Sequence, residues 1–313
     1  MEKTSYEFDS TSGGRLIVRD IWMEKINCII CGNNKTVPFI KLRDRLSQNQ
    51  ETFQLVKCEC GFVFLSARPD SGEMSLYYQY SKYDPHNSAA NNSWNKIYQL
   101  VQRFTMQWKQ QKITSFYKSG KLLDIGGGKG EVAAYMASRG WDVVCQDRLT
   151  DKLNMNTSRE IKSVVDLTKI EDEGCFDVIT LWHSLEHIHD IPKLYFQINR
   201  LLSPKGILLI AVPNLQAPER SFYSNKWAAF DAPRHLYHFH AGSIMSLCKK
   251  YKFRVLKKIS LIQDTPYNIL LSIPKYIPLH IIKGILIFIY SFFITLLRGP
   301  DYSSSILIIC RKS

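Results

Sequence analysis

The segment from Lys121 to Gly130 constrains the fold of this 313-residue chain more than any other feature. In it an apolar run ends in an acid, Gly126, Gly127 and Gly128 follow in succession, and Gly130 comes two positions later. Glycines let a backbone turn sharply and approach a ligand closely. The amino end of a following helix offers unpaired N–H groups. The segment therefore predicts a strand, a ligand-binding turn and a helix.

An alternation of strand-like and helical stretches begins at this segment. Strand-like runs occur at 121–125, 142–146, 162–165, 176–181, 206–212, 254–261 and 305–310. Helical stretches lie between several of them, at 129–139, 191–202 and 241–251. Strands separated by helices form βαβ units. We therefore expect an α/β fold with a Rossmann-like, doubly wound and mostly parallel sheet.

Acids follow the first three of these strands. Asp124 ends the first, Asp147 follows the second and Asp166 follows the third. Ligands of open α/β sheets bind at the carboxyl ends of the strands, where one acid can accept the hydroxyls of a ribose and another an adenine amino group. Either acid alone is equally typical of a helix cap or a solvated loop. Three acids together favour a nucleotide-like ligand.

Asp124 to Gly130 (DIGGGKG) resembles the D/E-x-G-x-G-x-G cofactor loop of the class I S-adenosylmethionine-dependent methyltransferases. Two later segments resemble the same family, Phe176–Ile179 at the fourth strand and Leu202–Ile207 before the fifth. The resemblance implies S-adenosyl-L-methionine as the cofactor, and it implies a role for each residue of this edge. Asp124, Gly126, Gly128 and Gly130 would lie beside the methionine part, Asp147 on the ribose and Asp166 near the adenine.

A histidine-rich segment follows the fourth strand. It runs from His183 through Glu186 to His187 and resembles the H-x-L-E-H string of a bacterial subgroup that carries an N-terminal zinc ribbon. His183 is our first candidate for a general base on an acceptor hydroxyl, since histidine titrates near neutrality. Related quinone O-methyltransferases bind a divalent cation through the string E-x-x-E-H. In this chain His183, Glu186 and His187 would occupy the three positions, so the first position is a histidine where the pattern has a glutamate. The alternative for Glu186 and His187 is a structural brace of the next helix.

A second polar and aromatic segment, W-x-x-x-D-x-P-R-H-L-x-H-F, matches the same subgroup between residues 227 and 239. Aromatic rings stack on sugars, and an arginine binds carboxylate or phosphate. His235 is a second candidate base. The alternative is a buried structural corner. The residues expected to contact the acceptor are Asn214, Trp227, Arg234 and Tyr237.

Two cysteine pairs near the amino end predict a metal site. They are Cys28 with Cys31 and Cys58 with Cys60, each followed by a glycine that permits a tight turn. Four thiolates form a closed tetrahedral Zn²⁺ site with a structural role. The second pair is C-x-C, one residue shorter than the C-x-x-C that is usual in the ribbons this segment resembles. The alternative is four free cysteines.

The segment 277–297 is almost wholly apolar, but its longest uninterrupted part, 284–297, is shorter than the ~20 residues of a membrane-spanning helix. We expect a helical insertion that is either buried or in contact with a membrane. The net charge of +13 favours anionic partners in general. The amino end has no apolar signal core, so we expect a cytoplasmic protein, with peripheral contact to the inner face of the membrane through 277–297.

These observations predict three regions. They are a zinc ribbon at 25–68, a helical connector at 69–119 and a methyltransferase domain at 120–313 with an apolar helical insertion at 269–300. We expect methylation of a hydroxyl on a sugar or small molecule, which the apolar segment suggests is lipid-linked. The alternatives are an RNA methyltransferase and a non-catalytic assembly module. The chain lacks the Asn/Asp-Pro-Pro-Tyr/Phe string of nucleobase methylation after the fourth strand, which argues against nucleic acid.

Overall fold

The computed structural model of the chain describes residues 2–9, 16–46, 51–78, 92–148, 161–273 and 277–313. Residues 79–91, which belong to the predicted connector, lie outside the described part. The helix that we expect in the second half of the connector is α1, Asn92–Thr114.

The amino-terminal region contains two small sheets. Its strands are β1 Glu2–Asp9, β2 Leu16–Lys25, β3 Thr36–Arg43, β4 Thr52–Cys58, β5 Val63–Leu65 and β6 Ala67–Pro69. One sheet has the order β1-β2-β6, and in the other β3, β4 and β5 pair antiparallel. The polar and mixed sequence of residues 1–24 predicts only partial order, whereas the described residues include the antiparallel hairpin of β1 and β2. The pairing of Met23 with Pro69 explains the difference, because this contact joins distant parts of the sequence.

The main sheet has seven strands. They are β7 Lys121–Ile125, β8 Asp142–Gln146, β9 Lys162–Val164, β10 Phe176–Trp182, β11 Leu202–Pro213, β13 Phe253–Leu261 and β14 Ser305–Lys312. Their order is β13-β14-β11-β10-β7-β8-β9, and β14 runs antiparallel to both of its neighbours. The predicted doubly wound, mostly parallel sheet is confirmed, and all seven expected strands are present.

Helices cover this sheet and extend beyond it. They are α2 Glu131–Ala137, α3 Ile191–Leu201, α4 Arg220–Tyr223, α5 Ala241–Lys250, α6 Asp264–Ser272 and α7 Pro278–Arg298. The crossover from β7 to the parallel strand β8 runs through α2, which places the glycine loop at the carboxyl edge of the sheet. The strand order reverses beside β7, between β8 and β10, and such a reversal opens a crevice for a ligand.

The amino-terminal region packs against the region that contains the main sheet. The short strand β12, Tyr237–His238, pairs antiparallel with β5, so a segment from the second half of the chain completes the sheet of β3, β4 and β5. The Leu65 amide donates to Leu236 O at 2.9 Å, and Lys250 Nζ donates to Ile29 O at 2.7 Å. Buried side chains of both regions form one continuous core. The two regions are thus packed as one unit.

Helix α7 has an unusual arrangement of apolar residues. Its buried positions are Gly284, Ile287, Ser291 and Thr295, so three of the four are small or polar. The apolar side chains of the helix face outward, and Leu286, Phe293 and Leu297 are 61%, 54% and 79% exposed. By length and composition α7 is the one described helix that could cross a membrane. A helix of a globular protein normally buries its apolar face. The arrangement in α7 is inverted, because its small and polar residues are buried and its large apolar residues are exposed.

Candidate functional site

The glycine loop makes a turn that glycine alone adopts readily. Gly126, Gly128 and Gly130 have φ angles of 69°, 56° and 77°, in the left-handed region. A Cβ added at Gly126 would lie 2.4 Å from Cβ of Ser184, so the segment after β10 packs tightly on the loop. A Cβ at Gly128 would meet no described atom within 4 Å. The loop is therefore closed on the Gly126 side and open at Gly128, where a cofactor can approach the backbone.

Asp124 is buried at the end of β7. Its Oδ1 accepts a hydrogen bond from Thr180 Oγ1 at 2.6 Å across the paired strands β7 and β10. Burial raises the pKa of Asp124 to about 6, although the Thr180 hydrogen bond and the positive charge of Lys109 act in the opposite direction. The site therefore holds a carboxylate whose charge is costly without a bound cation.

The other two predicted acids lie at the same edge. Asp147 Oδ2 accepts a hydrogen bond from the Gly128 amide at 2.8 Å, so this carboxylate lies beside the open part of the loop. Asp166 Oδ1 accepts from the Thr168 amide at 3.0 Å, and this hydrogen bond lowers the pKa of Asp166. Asp166 thus caps a short helical turn, the alternative considered from sequence, and its second oxygen lies 3.7 Å from Lys193 Nζ. Its contact with an adenine stays a prediction.

His183 lies directly after β10, next to Ser184, and is 35% exposed. Its Nε2 is 3.0 Å from Asp264 Oδ2 at the start of α6, and its Nδ1 is 3.8 Å from Glu186 Oε1. Burial acts to lower the pKa of His183, but the two carboxylates outweigh it and raise the pKa to about 10. The 3.0 Å contact is a close ion pair, whereas the 3.8 Å contact is a long one. Asp264 thus holds the ring by Nε2 and leaves Nδ1 for another partner.

A second histidine cluster lies behind His183. One ligand atom from each of Glu186, His187 and His235 lies within 4.8 Å of the others, and the two imidazole rings meet edge to face at 4.6 Å. His187 Nδ1 is 3.0 Å from Arg234 O and 3.0 Å from the Tyr78 hydroxyl. Burial, with the charge of His235, lowers the pKa of His187 to about 4. His235, our second candidate base, therefore faces a histidine and a carboxylate.

The structure places Arg234 inside the fold and not on a surface open to an acceptor. Its side chain is buried, and its Nη2 lies 2.7 Å from Asp44 Oδ1 and 2.8 Å from Asp231 Oδ1. Burial raises the pKa of Asp231, but the adjacent guanidinium outweighs it and lowers that pKa to about 2. The Arg234 guanidinium thus pairs with Asp44 of the cysteine-containing region and with Asp231 of its own loop, and it holds these two segments together. This corrects the interpretation of Arg234 as a substrate ligand.

The other three expected acceptor contacts are also buried. Asn214 Nδ2 donates to Asp301 O and Ser303 O, both at 2.8 Å, so its amide bridges two chain segments. The Tyr237 hydroxyl donates to His189 O at 3.1 Å, and Trp227 is 1% exposed. These contacts fit the structural corner that we considered as the alternative. The structure thus gives Asn214, Trp227 and Tyr237 roles in packing.

The four predicted metal-binding cysteines lie together. Their sulfur atoms are all within 4.8 Å of one another, with Cys28 3.6 Å from Cys60 and Cys31 3.4 Å from Cys58. In a tetrahedral Zn²⁺ site with bonds of about 2.3 Å the sulfur atoms are about 3.8 Å apart. The arrangement therefore fits the geometry of one four-coordinate ion.

The two cysteine turns differ by one residue and still converge. The Gly32 amide donates to Cys28 O and the Gly61 amide donates to Cys58 O, both at 2.8 Å. The first turn thus closes over four positions and the second over three, and both glycines have positive φ angles. The shorter C-x-C pair makes a tighter turn, which explains how its sulfur atoms reach the same point.

Three residues of the site were missed in the sequence. Thr180 is a hydroxyl inside an apolar strand, which is itself a signal of a polar partner. Asp264 follows β13, which runs parallel to β11 because both pair antiparallel with β14. The rule that located Asp124 and Asp147, an acid after a parallel strand, would therefore have located Asp264. Lys109 lies on α1, near Asp124, and its ammonium group is 4.7 Å from the centre of the Trp182 ring; no spacing signal marks it.

The sheet order, the open glycine loop and the acids at its edge define a class I S-adenosylmethionine-dependent methyltransferase. The family model described as a methyltransferase domain matches residues 80–258, more than half of the chain. The chain therefore belongs to this methyltransferase family.

Relatives by sequence include enzymes of quinone synthesis. The ubiquinone biosynthesis O-methyltransferase of Rickettsia canadensis is 23% identical over 140 residues, which are 40% of this chain and 59% of that protein. The corresponding enzyme of Actinobacillus pleuropneumoniae is 30% identical over 137 residues, 40% of this chain and 58% of that protein. The chain thus spans less than two thirds of the length of these relatives.

Solved structures with a similar fold include a geranyl diphosphate C-methyltransferase from Streptomyces coelicolor. Its TM-score is 0.48 at 15% identity, covering 74% of this chain and 89% of that one. A 1,6-didemethyltoxoflavin-N1-methyltransferase from Burkholderia thailandensis has a TM-score of 0.47 at 14% identity, covering 83% and 96%.

Proposed function

We propose that this methyltransferase methylates a hydroxyl group of a lipid-linked sugar or small molecule at the cytoplasmic face of a membrane. The observation that carries the proposal is the position of α6. Its first residue, Asp264, holds His183 at the catalytic edge, and its carboxyl end packs on the inverted helix α7. One element thus connects the site of chemistry to the exposed apolar surface.

The residues at the edge of the sheet fit S-adenosylmethionine. The open space at Gly128 accommodates a ligand, and Asp147 lies beside it with a carboxylate able to accept ribose hydroxyls. Asp124 supplies a buried negative charge next to the loop. When bound, the cofactor supplies an activated methyl group on a sulfonium. The protein then needs to align an acceptor and receive its proton.

His183 is placed to receive that proton. Because the neighbouring carboxylates favour the protonated ring, His183 serves as a base only in its neutral form, in which Asp264 holds the Nε2 proton and the Nδ1 lone pair is left for the acceptor hydroxyl. An imidazole oriented by a carboxylate is a recurrent arrangement for general bases. The sequence relatives are named as O-methyltransferases, which favours oxygen over nitrogen or carbon as the methylated atom.

The exposed face of α7 supports a membrane as the source of the acceptor. Large apolar side chains are exposed on it, including Leu279, Ile282, Leu286, Phe293, Leu296 and Leu297, and Leu270 and Leu271 of the neighbouring helix α6 are exposed as well. An apolar patch of this extent on a soluble surface marks an interaction site. Lys283 lies within the first half of α7 and Arg298 at its carboxyl end, and such cationic groups fit anionic lipid headgroups.

The same topology favours a helix lying in the membrane surface over a spanning one. Helix α7 has 21 residues, about 30 Å of helix, but it is inserted between β13 and β14, which pair with each other. A single span would put these strands on opposite sides of the bilayer. Helix α6 has only 9 residues and is too short to return the chain across.

Vesicle sedimentation tests the membrane part. We expect the protein to bind anionic vesicles better than neutral ones, and Leu286→Gln with Phe293→Gln to reduce that binding at least tenfold. The matched control is Phe104→Gln with Phe196→Gln, which removes two exposed phenylalanines from α1 and α3. Equal binding by both double variants contradicts the membrane surface.

Transfer of a labelled methyl group tests the reaction. Purified protein with labelled S-adenosylmethionine and a membrane extract should give a labelled product that is soluble in organic solvent, and His183→Ala should abolish it. Label appearing only in nuclease-sensitive material would instead support the RNA alternative. Mass spectrometry of the product distinguishes a methyl ether from methylation at nitrogen or carbon.

A further inference from the structure

We propose that Glu186, His187 and His235 bind a divalent transition metal ion, separate from the cysteine site. The three residues come from two segments, the turn after β10 and the loop before β12, which the hydrogen bond from the Leu236 amide to Glu186 O joins at 2.8 Å. Binding of the ion is independent of the acceptor and of methyl transfer, so it can be measured without either.

The Glu186 side chain is the first observation. It is 0% exposed, and neither carboxylate oxygen has a hydrogen-bond partner among the residues that the structure describes. A buried carboxylate without hydrogen-bond donors needs cationic neighbours. The nearest cationic group recorded for it is His183 Nδ1, at 3.8 Å. If Glu186 served only to brace the next helix, its side chain would have a donor, and it has none here.

The two histidines are the second observation, because their free nitrogens are fixed. His187 Nδ1 lies 3.0 Å from Arg234 O and His235 Nδ1 lies 2.8 Å from Ala229 O. A carbonyl oxygen can only accept, so each Nδ1 carries the proton and each Nε2 keeps its lone pair. Metal-binding histidines typically donate their second ring nitrogen to a carbonyl in this way.

The spacing of the three groups suits one ion. Their ligand atoms lie within 4.8 Å of one another, and the ligands of an ion with bonds of about 2.1 Å lie about 3–3.5 Å apart. The 4.8 Å value is an upper bound on the three separations, and it is compatible with that spacing. Two imidazoles and one carboxylate favour Zn²⁺, Mn²⁺, Fe²⁺ or Co²⁺ over the softer ions that thiolates select. Three protein ligands leave coordination positions open for oxygen donors.

The structure differs here from the E-x-x-E-H pattern considered above. In that pattern position 183 would complete the site, but His183 Nε2 is paired with Asp264 instead. His235, from a segment about fifty residues further along the chain, takes the third position. Replacing His183 and His235 separately therefore distinguishes the two ligand sets.

Equilibrium dialysis of the full-length, metal-depleted protein against Mn²⁺ is the direct test, since thiolate sites bind Mn²⁺ poorly. We expect one Mn²⁺ per chain, and at least tenfold weaker binding in His235→Ala and in Glu186→Gln. His183→Ala and Cys175→Ser should bind Mn²⁺ like the wild type. Absence of both Mn²⁺ binding and a second Zn²⁺ in the wild type overturns the proposal, as does loss in His183→Ala with retention in His235→Ala.

Thermal unfolding separates a metal ligand from a structural role. Glu186→Gln should abolish the rise in unfolding temperature that Mn²⁺ gives the wild type, whatever the stability of the metal-free variant, because the neighbouring histidines also attract this carboxylate. If Glu186 is a brace, the variant unfolds at a lower temperature and still binds Mn²⁺, which overturns the proposal. His235 is partly exposed, so His235→Ala keeps the test decisive should the Gln variant fail to fold.

Discussion

Asp264 Oδ2 lies 3.0 Å from His183 Nε2, so the first residue of α6 orients the histidine that follows β10. The two residues are 81 positions apart and meet because β10 and β13 both end at the same edge of the sheet. This contact links the candidate base to the helix pair that carries the exposed apolar surface.

At high pH, where His183 is neutral in both proteins, Asp264→Asn should lower kcat by about tenfold or more with little change in KM for S-adenosylmethionine, and it should move the rise of kcat with pH to lower pH because Asp264 raises the pKa of His183. The amide keeps the side-chain volume but cannot hold the imidazole with a charge, and orienting carboxylates contribute to the transition state more than to binding. Steady-state kinetics measure both constants. Asp172→Asn, at an exposed loop position, is the matched control, and a change confined to KM would contradict this role.

Asp147→Ala should weaken S-adenosylmethionine binding by about tenfold or more. A carboxylate that accepts ribose hydroxyls makes charge-assisted hydrogen bonds of about 1.5–3 kcal/mol each. Calorimetric titration gives the dissociation constant directly. Asp142→Ala, at the exposed start of the same strand, should leave it unchanged. An unaltered affinity in Asp147→Ala would mean that the ribose lies elsewhere.

The affinity for S-adenosylmethionine and the stability of the free protein should respond to pH in opposite directions around pH 6. The folded-state pKa of Asp124 is raised to about 6 by burial, so its charge is lost as pH falls through this value. The cationic cofactor then loses a negative partner and binds more weakly. The free fold, however, binds this proton more readily than the unfolded chain, so the group destabilises the fold above pH 6 and this cost disappears towards pH 4.

Asp124→Asn provides the comparison for this pH dependence. The variant should bind the cofactor weakly at every pH, and the difference in unfolding free energy between it and the wild type should change by on the order of 2 kcal/mol between pH 4.5 and pH 8. Calorimetric titration and denaturant unfolding at several pH values measure the two quantities. Parallel pH profiles for wild type and variant would exclude Asp124 as the group responsible.

Cys31→Ser should remove one equivalent of zinc and lower the thermal midpoint. An ion held by the four thiolates would tie the two cysteine turns together, so its binding free energy would add to the stability of this region. Cys175→Ser, outside the cluster, should change neither quantity. Elemental analysis and thermal unfolding measure them. Zinc content that is equal in the two variants would show that the cysteine cluster is not the zinc site.

The sequence was sufficient for the main sheet and the cofactor edge because both depend on local patterns. Apolar runs mark the strands, and an acid after a parallel strand marks the edge, as at Asp124 and Asp147. The acceptor side depends on tertiary packing, which local patterns do not encode. Arg234 had the chemistry of an anion ligand, but its charge is taken by Asp44, 190 positions away. Only the fold shows that pairing.

The pairing of β12 with β5 also has a consequence for biosynthesis. The cysteine ribbon leaves the ribosome early, but the fourth strand of its sheet is Tyr237–His238. About 170 residues must be translated between these two strands before the sheet is complete. Until then the edge of β5, with the unpaired backbone groups of Val63 and Phe64, is open to other chains. A nascent chain that already holds its zinc would thus be protected at the cysteines and exposed at this edge.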